Sequence, residues 1–300
     1  MKEYISIPTL QSDCVTDELI DSLATILPEG VRNGRDASGK ATRSFCMDSI
    51  IQDDPRVNAI LDTLRKHGMR PRSLDTPDRP RNEFWIVIRR KYSRSDLLQS
   101  EFLKFNGLKY ASELGWRTKP EGLVILPVRS LQRIIDSRSD TLYTDRPGWT
   151  VVSDRVKDLV EQSDLRHISF RPTVLVSGRG RPEDPMVSWS EVGAPWWEIT
   201  SDYTMPPLSP TVEIVAQDGS PFVSYETQNL ELREGSYEVP ELHYRRSEIA
   251  EADWFDLALS HEHIGKPPHQ QMKIASQRFY QFCSSHHIKA SWMPVRIDDC

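Results

Sequence analysis

The sequence contains few cysteines, and no two of them form a CxxC pair. The four cysteines are scattered over the 300 residues at positions Cys14, Cys46, Cys283 and Cys300. Disulfide frameworks are typical of small, cysteine-rich secreted domains, and structural zinc sites typically carry CxxC pairs. The cysteine pattern therefore predicts free thiols in a reducing compartment, and we expect a cytoplasmic protein.

Long apolar runs and an excess of basic charge are absent as well. The N-terminal residues MKEYISIPTLQSD lack the uninterrupted apolar core of a signal peptide, and no run approaches the roughly 18 apolar residues of a transmembrane helix. The formal net charge is −6, whereas a general nucleic-acid binder needs a basic face to displace counterions from phosphates. We therefore expect association with neither membranes nor nucleic acids, and the acidic balance suits a basic protein partner.

Complete catalytic motifs are also missing, because neither GxSxG nor HExxH occurs. Gly34–Lys40, with the sequence GRDASGK, matches the GxxxxGK part of a phosphate-binding P-loop. However, Ala41 occupies the position at which a P-loop carries the Ser or Thr that binds magnesium. We therefore interpret this segment as a polar surface loop. Asp253 and Asp256 are candidates for a carboxylate pair, although a capping or loop role for one of them is favoured.

The most informative pattern present is a repeat, because Val151–Val176 resembles Ile274–Ile297. Apolar residues at i, i+3 and i+4 form one face of a helix, and a serine before them is a typical N-cap. The β-branched and aromatic residues that follow favour a strand. Each copy is therefore predicted to be a cap, a short amphipathic helix, a turn and a strand. Few identities support the alignment, so chance similarity is the alternative. The aligned residues are Ser153 with Ser276, Arg155 with Arg278, Val156, Leu159 and Val160 with Phe279, Phe282 and Cys283, and Pro172 with Pro294.

Helical and strand patterns elsewhere alternate without a regular βαβ rhythm. The composition, with 38% apolar and 27% charged residues, is typical of a soluble globular protein. We therefore predict an α+β fold, with short mixed or antiparallel sheets and packed helices, that contains the two repeat units near residues 151–176 and 274–297. A connector rich in Pro and Arg near residues 70–82 is expected to separate a small N-terminal region, 1–80, from a main domain, 81–300.

Three shorter segments carry clear local patterns. Asp54 is expected to cap a helix that begins with Pro55 and ends at Gly68. The run FWIVI, Phe84–Ile88, predicts a strand that is buried on both faces. A second helix is expected to follow that strand and to carry Leu97, Leu98, Phe102 and Leu103 on its apolar face.

Histidines near the C-terminus are candidates for a metal site. His261, His263 and His269 lie in the segment SHEHIGKPPH, with Glu262 as a candidate base. Imidazole is a common zinc ligand, although this spacing matches no established zinc motif. These residues support one hypothesis, a metal-dependent hydrolase, in which zinc is the cofactor. The alternative is that the histidines are ordinary loop residues without a metal.

An aromatic and acidic stretch is the best candidate for a protein-binding surface. Trp and Tyr contribute much of the energy at interfaces, and acidic groups suit a basic partner. The stretch lies within Ser177–Pro210, where prolines limit the freedom that a loop loses on association. The alternative is that its aromatic residues belong to the core. The candidate contact residues are Trp189, Trp196, Trp197, Glu198, Asp202 and Tyr203.

The repeat also resembles a known family. Residues 151–172, VVSDRVKDLVEQSDLRHISFRP, and the second copy SQRFYQFCSSHHIKASWMPVRI are similar to the C-terminal signature of a bacterial immunity-protein family of polymorphic toxin systems, which includes the double-CxxCG proteins. The CxxCG motifs are absent here, so neither the paired cysteines nor a metal bound by them is carried over. The resemblance implies a cytoplasmic, non-enzymatic protein that binds and neutralises a toxin. It assigns no catalytic residues.

Overall fold

The computed structural model describes residues 2–7, 10, 15–35, 39–71, 83–84, 87–112, 122–129, 131, 139–144, 149–179, 181–209, 222–223, 236–237, 241–249, 254–264 and 270–298. These residues form an α+β fold of short mixed and antiparallel sheets with packed helices, which confirms the predicted fold class. The chain divides into two compact units, Met1–Ser93 with Glu226–Pro240, and Arg94–Tyr225 with Glu241–Cys300.

The first unit extends past the boundary predicted near residue 80. One strand after that boundary, β7 (Val87–Lys91), pairs antiparallel with β1 (Lys2–Ile7) and parallel with β18 (Ser236–Tyr237). The sheet has the order β18-β7-β1-β4, so a later segment also belongs to this unit. The remaining elements are α1 (Asp17–Ile26), β2 (Val31–Arg35), β3 (Ala41–Phe45), β4 (Met47–Ile51), α2 (Pro55–Lys66), β5 (Arg70–Pro71) and β6 (Glu83–Phe84).

Two sequence predictions in the first unit can be compared with these elements. Asp54 caps helix α2 as predicted, its Oδ1 accepting a hydrogen bond from the backbone N–H of Arg56 at 2.9 Å. Gly68, just after the helix, has φ +73°, a conformation that favours glycine. The segment Gly34–Lys40 starts within β2 and ends just before β3, its antiparallel partner, and its described residues are exposed. Residues 36–38 of that segment lie outside the described residues.

The second unit carries the remaining helices and strands. Its helices are α3 (Arg94–Gln99), α4 (Asp154–Glu161) and α5 (Gln277–Ser285). Its strands before residue 201 are β8 (Phe102–Gly107), β9 (Lys109–Ser112), β10 (Ile125–Pro127), β11 (Thr141–Thr144), β12 (Thr150–Ser153), β13 (Ser169–Pro172), β14 (Val174–Val176), β15 (Met186–Val187) and β16 (Trp196–Thr200). The later strands are β17 (Phe222–Val223), β19 (His243–Arg245), β20 (Leu257–Ile264), β21 (Gln270–Ser276) and β22 (Ala290–Asp298).

These strands form three sheets within the second unit. The orders are β13-β16-β12-β11-β9, β17-β20-β21-β8-β22-β19 and β10-β14-β15. Helices α4 and α5 bury their apolar faces in one shared core, which also contains Ile199 from β16 and Phe105 from β8. The central strands of the two larger sheets therefore pack against the same pair of helices.

The prediction that Phe102 and Leu103 lie in a helix is wrong. Helix α3 ends at Gln99, and both residues lie in strand β8, which pairs with β21 and β22. Phe102 is 1% exposed and Leu103 is not exposed, so the strand is buried on both faces. A strand of this kind reads as a continuous apolar run, which sequence periodicity does not distinguish from a buried helix.

The repeat prediction is confirmed, with one correction at a cap. Helices α4 and α5 each follow a serine and each precede a strand that contains the aligned proline, Pro172 or Pro294. Ser276 caps α5, since its Oγ accepts a hydrogen bond from Phe279 N at 3.1 Å. Ser153 makes no such bond, although its hydroxyl donates to Asp140 Oδ1 at 2.8 Å.

Burial along the two helices follows the predicted face. Val156, Val160, Phe279 and Cys283 are buried, whereas Leu159 and Phe282 are partly buried against the same core. Among the residues that the structure describes, no helix is both long enough and apolar enough to cross a membrane.

Candidate functional site

The predicted contact stretch contains two residues whose side chains are buried in strand β16. Trp196 is 5% exposed and Glu198 is 4% exposed. The backbone of Trp196 is also fixed, because Thr173 Oγ1 donates to its carbonyl oxygen at 2.7 Å. Neither side chain is accessible to a partner in this structure, so any contact surface on the stretch must use its other residues.

Two further tryptophans of the stretch are partly buried and anchored through their indole nitrogens. Trp189 donates from Nε1 to the carbonyl oxygen of Thr173 at 3.2 Å and packs at the edge of a core. Trp197 donates from Nε1 to Asp154 Oδ1 at 2.7 Å, and Lys157 Nζ lies 4.8 Å from the centre of its ring. These tryptophans connect β16 and its neighbouring loop to the scaffold.

Asp202 and Tyr203, by contrast, lie at the surface with a histidine that the sequence did not single out. Asp202 Oδ1 lies 3.0 Å from His167 Nδ1, and the side chain of Asp202 is 74% exposed. The ring of Tyr203 lies 5.4 Å from the His167 ring and stacks on Phe255 at 4.9 Å. The stacking on a buried phenylalanine fixes Tyr203, while Asp202 remains open to solvent.

His167 adopts an uncommon backbone conformation at this surface. Its φ is +60°, a left-handed value that costs energy in a residue with a side chain. The conformation directs the chain from helix α4 into β13, whose pairing with β16 brings the turn near Asp202. Because this proximity depends on pairing between distant segments, local sequence patterns do not reveal it.

A second carboxylate is exposed on the same turn. Asp164 is 91% exposed and forms an ion pair with Arg278. Arg278 also reaches Asp256, whose side chain is fully buried, at 3.4 Å. Asp256 Oδ2 accepts a hydrogen bond from the backbone N–H of Arg166 at 2.8 Å, so the turn is tied to the core. We call Asp164, His167, Asp202 and Tyr203 the acidic surface.

The structure separates the candidate metal ligands from the candidate base. His261 is exposed and His263 is partly buried, whereas Glu262 between them is buried on strand β20. Glu262 Oε1 accepts a hydrogen bond from Leu208 N at 2.7 Å, so this carboxylate is not placed beside the histidines. His269 lies outside the described residues. Within the described part of the chain, no three His, Cys, Asp or Glu side chains are arranged to hold a metal ion.

Tyr244 and Glu262 form a buried polar pair that the sequence does not predict. Tyr244 is not exposed, and neither its hydroxyl nor Glu262 Oε2 has a hydrogen-bond partner among the described residues. Burial, and secondarily the nearby charge of Glu262, raise the pKa of the Tyr244 phenol well above its ordinary value. The phenol is therefore a neutral group at physiological pH.

Cys283 is expected to be unreactive in the native protein. Its side chain is 1% exposed on α5, and burial raises the pKa of the thiol far above its ordinary value. Because the thiolate is the reactive form, iodoacetamide at about pH 8 should leave Cys283 unmodified in the folded chain and alkylate it in urea. Peptide mass mapping measures both states. Rapid alkylation of Cys283 without unfolding would show that α5 is not packed as described.

No protein-family model, no curated protein and no solved structure matches this chain. A functional assignment therefore depends on the geometry of the acidic surface and on the resemblance of the repeat.

Proposed function

We propose that the chain is a non-enzymatic protein-binding module of the cytoplasm that holds a basic protein through the acidic surface, as an immunity protein holds a toxin. The observation that carries the proposal is the exposure of Asp202 on a rigidly held segment. The two exposed carboxylates, Asp164 and Asp202, are complementary to lysine or arginine side chains. The toxin as partner comes from the resemblance of the repeat.

Backbone hydrogen bonds support this role, because they fix the segment that carries Asp202. Leu259 N donates to Tyr203 O at 2.9 Å, and Met205 N donates to Leu259 O at 2.8 Å. Ser201 Oγ donates to the carbonyl oxygen of Leu257 at 2.7 Å. A segment that is already ordered loses little conformational entropy on association.

His167 gives the proposed surface a second polar contact. Its Nδ1 lies 3.0 Å from Asp202 Oδ1, so the imidazole lies directly beside the exposed carboxylate. Tyr203 adds an aromatic face that is partly buried and needs no further ordering. A basic side chain placed between the carboxylate and the rings would form both an ion pair and a ring contact.

Replacement of Asp202 by alanine is expected to weaken binding of the partner without lowering the melting temperature. The candidate partner is a protein encoded beside this gene that co-purifies with the wild-type chain. A lost charge-assisted hydrogen bond corresponds to roughly tenfold or more in Kd, which isothermal titration calorimetry measures. Asp48→Ala is the matched control, because Asp48 is an 85% exposed carboxylate that pairs with Arg32 at 3.0 Å in the first unit.

One other variant in the same stretch is expected to behave differently from Asp202→Ala. Trp189→Ala is expected to lower the melting temperature, because its ring packs against a core and its indole is hydrogen-bonded. It is therefore not a clean test of binding. Equal affinity of wild type, Asp202→Ala and Asp48→Ala for the partner would remove the acidic surface from the contact.

A further inference from the structure

We infer that the second unit contains two copies of one repeat, residues 102–176 and 196–298, that exchange their first strands and thereby build the acidic surface between them. The part of this inference that concerns the acidic surface rests on the proposed function. The exchange itself rests on strand pairing, and it is tested without any partner.

The two larger sheets have the same order of strands. In one sheet, β16 lies between β12 and β13, the strands before and after helix α4, and runs antiparallel to both. In the other sheet, β8 lies between β21 and β22, the strands before and after helix α5, and is again antiparallel to both. Each sheet is thus a hairpin, a helix and a returning strand, completed by one strand from outside that segment.

The registers around the two central strands are equivalent. The serine before each helix and each aligned proline lie opposite the corresponding residues of the central strand. The corresponding pairs are Ser153–Trp196 with Ser276–Phe102, and Pro172–Trp197 with Pro294–Leu103.

The chain also leaves the two central strands in the same way. After β8 it forms a parallel pairing of Tyr110 with Tyr143, and after β16 a parallel bridge of Thr204 with Leu259. A short strand then joins the outer side of the long strand in both copies, β10 beside β14 and β19 beside β22, both parallel. Equivalent hydrogen bonds lead into these pairings, from Val174 N to Val124 O and from Arg296 N to Leu242 O, both 2.9 Å.

A side-chain cluster is repeated as well. In the first copy, Asp140 accepts hydrogen bonds from Ser153 Oγ at 2.8 Å and from Arg155 at 2.7 Å. The second copy has the same cluster of Asp256, Ser276 and Arg278 at the start of α5, with Asp256 accepting from Ser276 Oγ at 2.8 Å. Each aspartate immediately precedes the first strand of its hairpin, β11 or β20. The repeat therefore extends well beyond the segments that resemble each other in sequence.

A short connection prevents the first copy from completing its own sheet. Leu108 is the only residue between β8 and β9, and β9 lies three strand positions from the place that β16 occupies. Three spacings correspond to about 14 Å, whereas the two peptide units across Leu108 reach about 7 Å. Strand β8 must therefore enter the sheet of the other copy, and β16 takes its place.

The exchange makes the acidic surface a composite of both copies. Asp164 and His167 belong to the first copy, whereas Asp202 and Tyr203 follow the exchanged strand β16 of the second. Leu108 is the residue after β8 that corresponds to Asp202 after β16, and it is 41% exposed. The segment after β8 therefore has no carboxylate at the position of Asp202, so one partner molecule per chain is expected.

Cleavage of the connection between the copies tests the exchange in the full chain. A protease site inserted between Pro182 and Glu183, both exposed, opens the turn between β14 and β15. The two fragments of the cleaved protein are expected to elute together. Because each lacks the central strand of its own sheet, neither should refold alone after separation in urea, and mixing should restore the native spectrum. The melting temperature should fall by about 3–6 °C for each tenfold dilution.

A control variant separates this association from the pairing of β18 with β7, which also joins the two fragments. Tyr237→Pro interrupts that pairing and should leave the association of the fragments intact. Refolding of either fragment alone to a native-like monomer, or dissociation of the fragments in the Tyr237→Pro background, would overturn the exchange. Such a failure leaves the binding test of Asp202→Ala unaffected, so the two proposals fail separately.

Discussion

Replacement of Asp256 by alanine is expected to lower the free energy of unfolding by about 3–5 kcal/mol, because it removes a buried, paired carboxylate. The side chain is fully buried and accepts hydrogen bonds from Arg166 N and Ser276 Oγ, both at 2.8 Å. Without it, both donors lose their acceptor and Arg278 loses an ionic partner. Urea denaturation measures the change, provided that the slope of the transition stays the same.

The sister residue provides the matched control for this variant. Asp140 bonds the corresponding serine and arginine, but its side chain is 20% exposed, so water can replace part of what is lost. Asp140→Ala is therefore expected to cost about 1–2 kcal/mol. Equal losses for the two variants would contradict the difference in burial.

Replacement of Phe279 by alanine is expected to cost about 3–5 kcal/mol, because it leaves a cavity in the core that α4 and α5 share. The ring is 1% exposed and lies 5.4 Å from the Phe105 ring in an edge-to-face arrangement. Phe282 lies on the same helix but is only partly buried, so Phe282→Ala should cost less, about 2 kcal/mol. Thermal and urea unfolding of both variants measure this order, and the reverse order would contradict the packing of α5.

The elements that the sequence predicted are those that local patterns determine. Helix α2 carries its cap, proline and terminal glycine within one short segment, and the helices of the two copies carry their apolar faces in the same way. In these cases the capping residues and the apolar face lie within one helix, so residue spacing is sufficient to predict the helix.

In β16 the sequence did not predict that both faces are buried, and in β8 it assigned Phe102 and Leu103 to a helix. In β16, Trp196 and Glu198 face one side, and Ile199 is also buried on the other. An alternation of buried and exposed positions, which would have separated core residues from contact residues, is therefore missing. The same double burial made Phe102 in β8 resemble part of a helix.

The acidic surface and the exchange escaped prediction because they depend on pairing between distant segments. His167 and Asp202 meet only when β13 lies beside β16. Likewise, Asp140 and Asp256 lie a hairpin away from the serines that they bind, so the alignment of the two copies did not include them. Chain topology, rather than residue type, brings these groups together.

The exchange of first strands is the claim on which the composite surface depends, and cross-strand backbone contacts measured by NMR test it most directly. In the exchanged arrangement, Lys104 of β8 lies opposite Ile274 and Met293 of the second copy. Backbone proton contacts from Lys104 to these two residues are the expected result. In the structure, Val151 and Arg171 lie opposite Glu198 of β16. Backbone contacts from Lys104 to Val151 and Arg171 would instead show that each copy completes its own sheet, and would contradict the account.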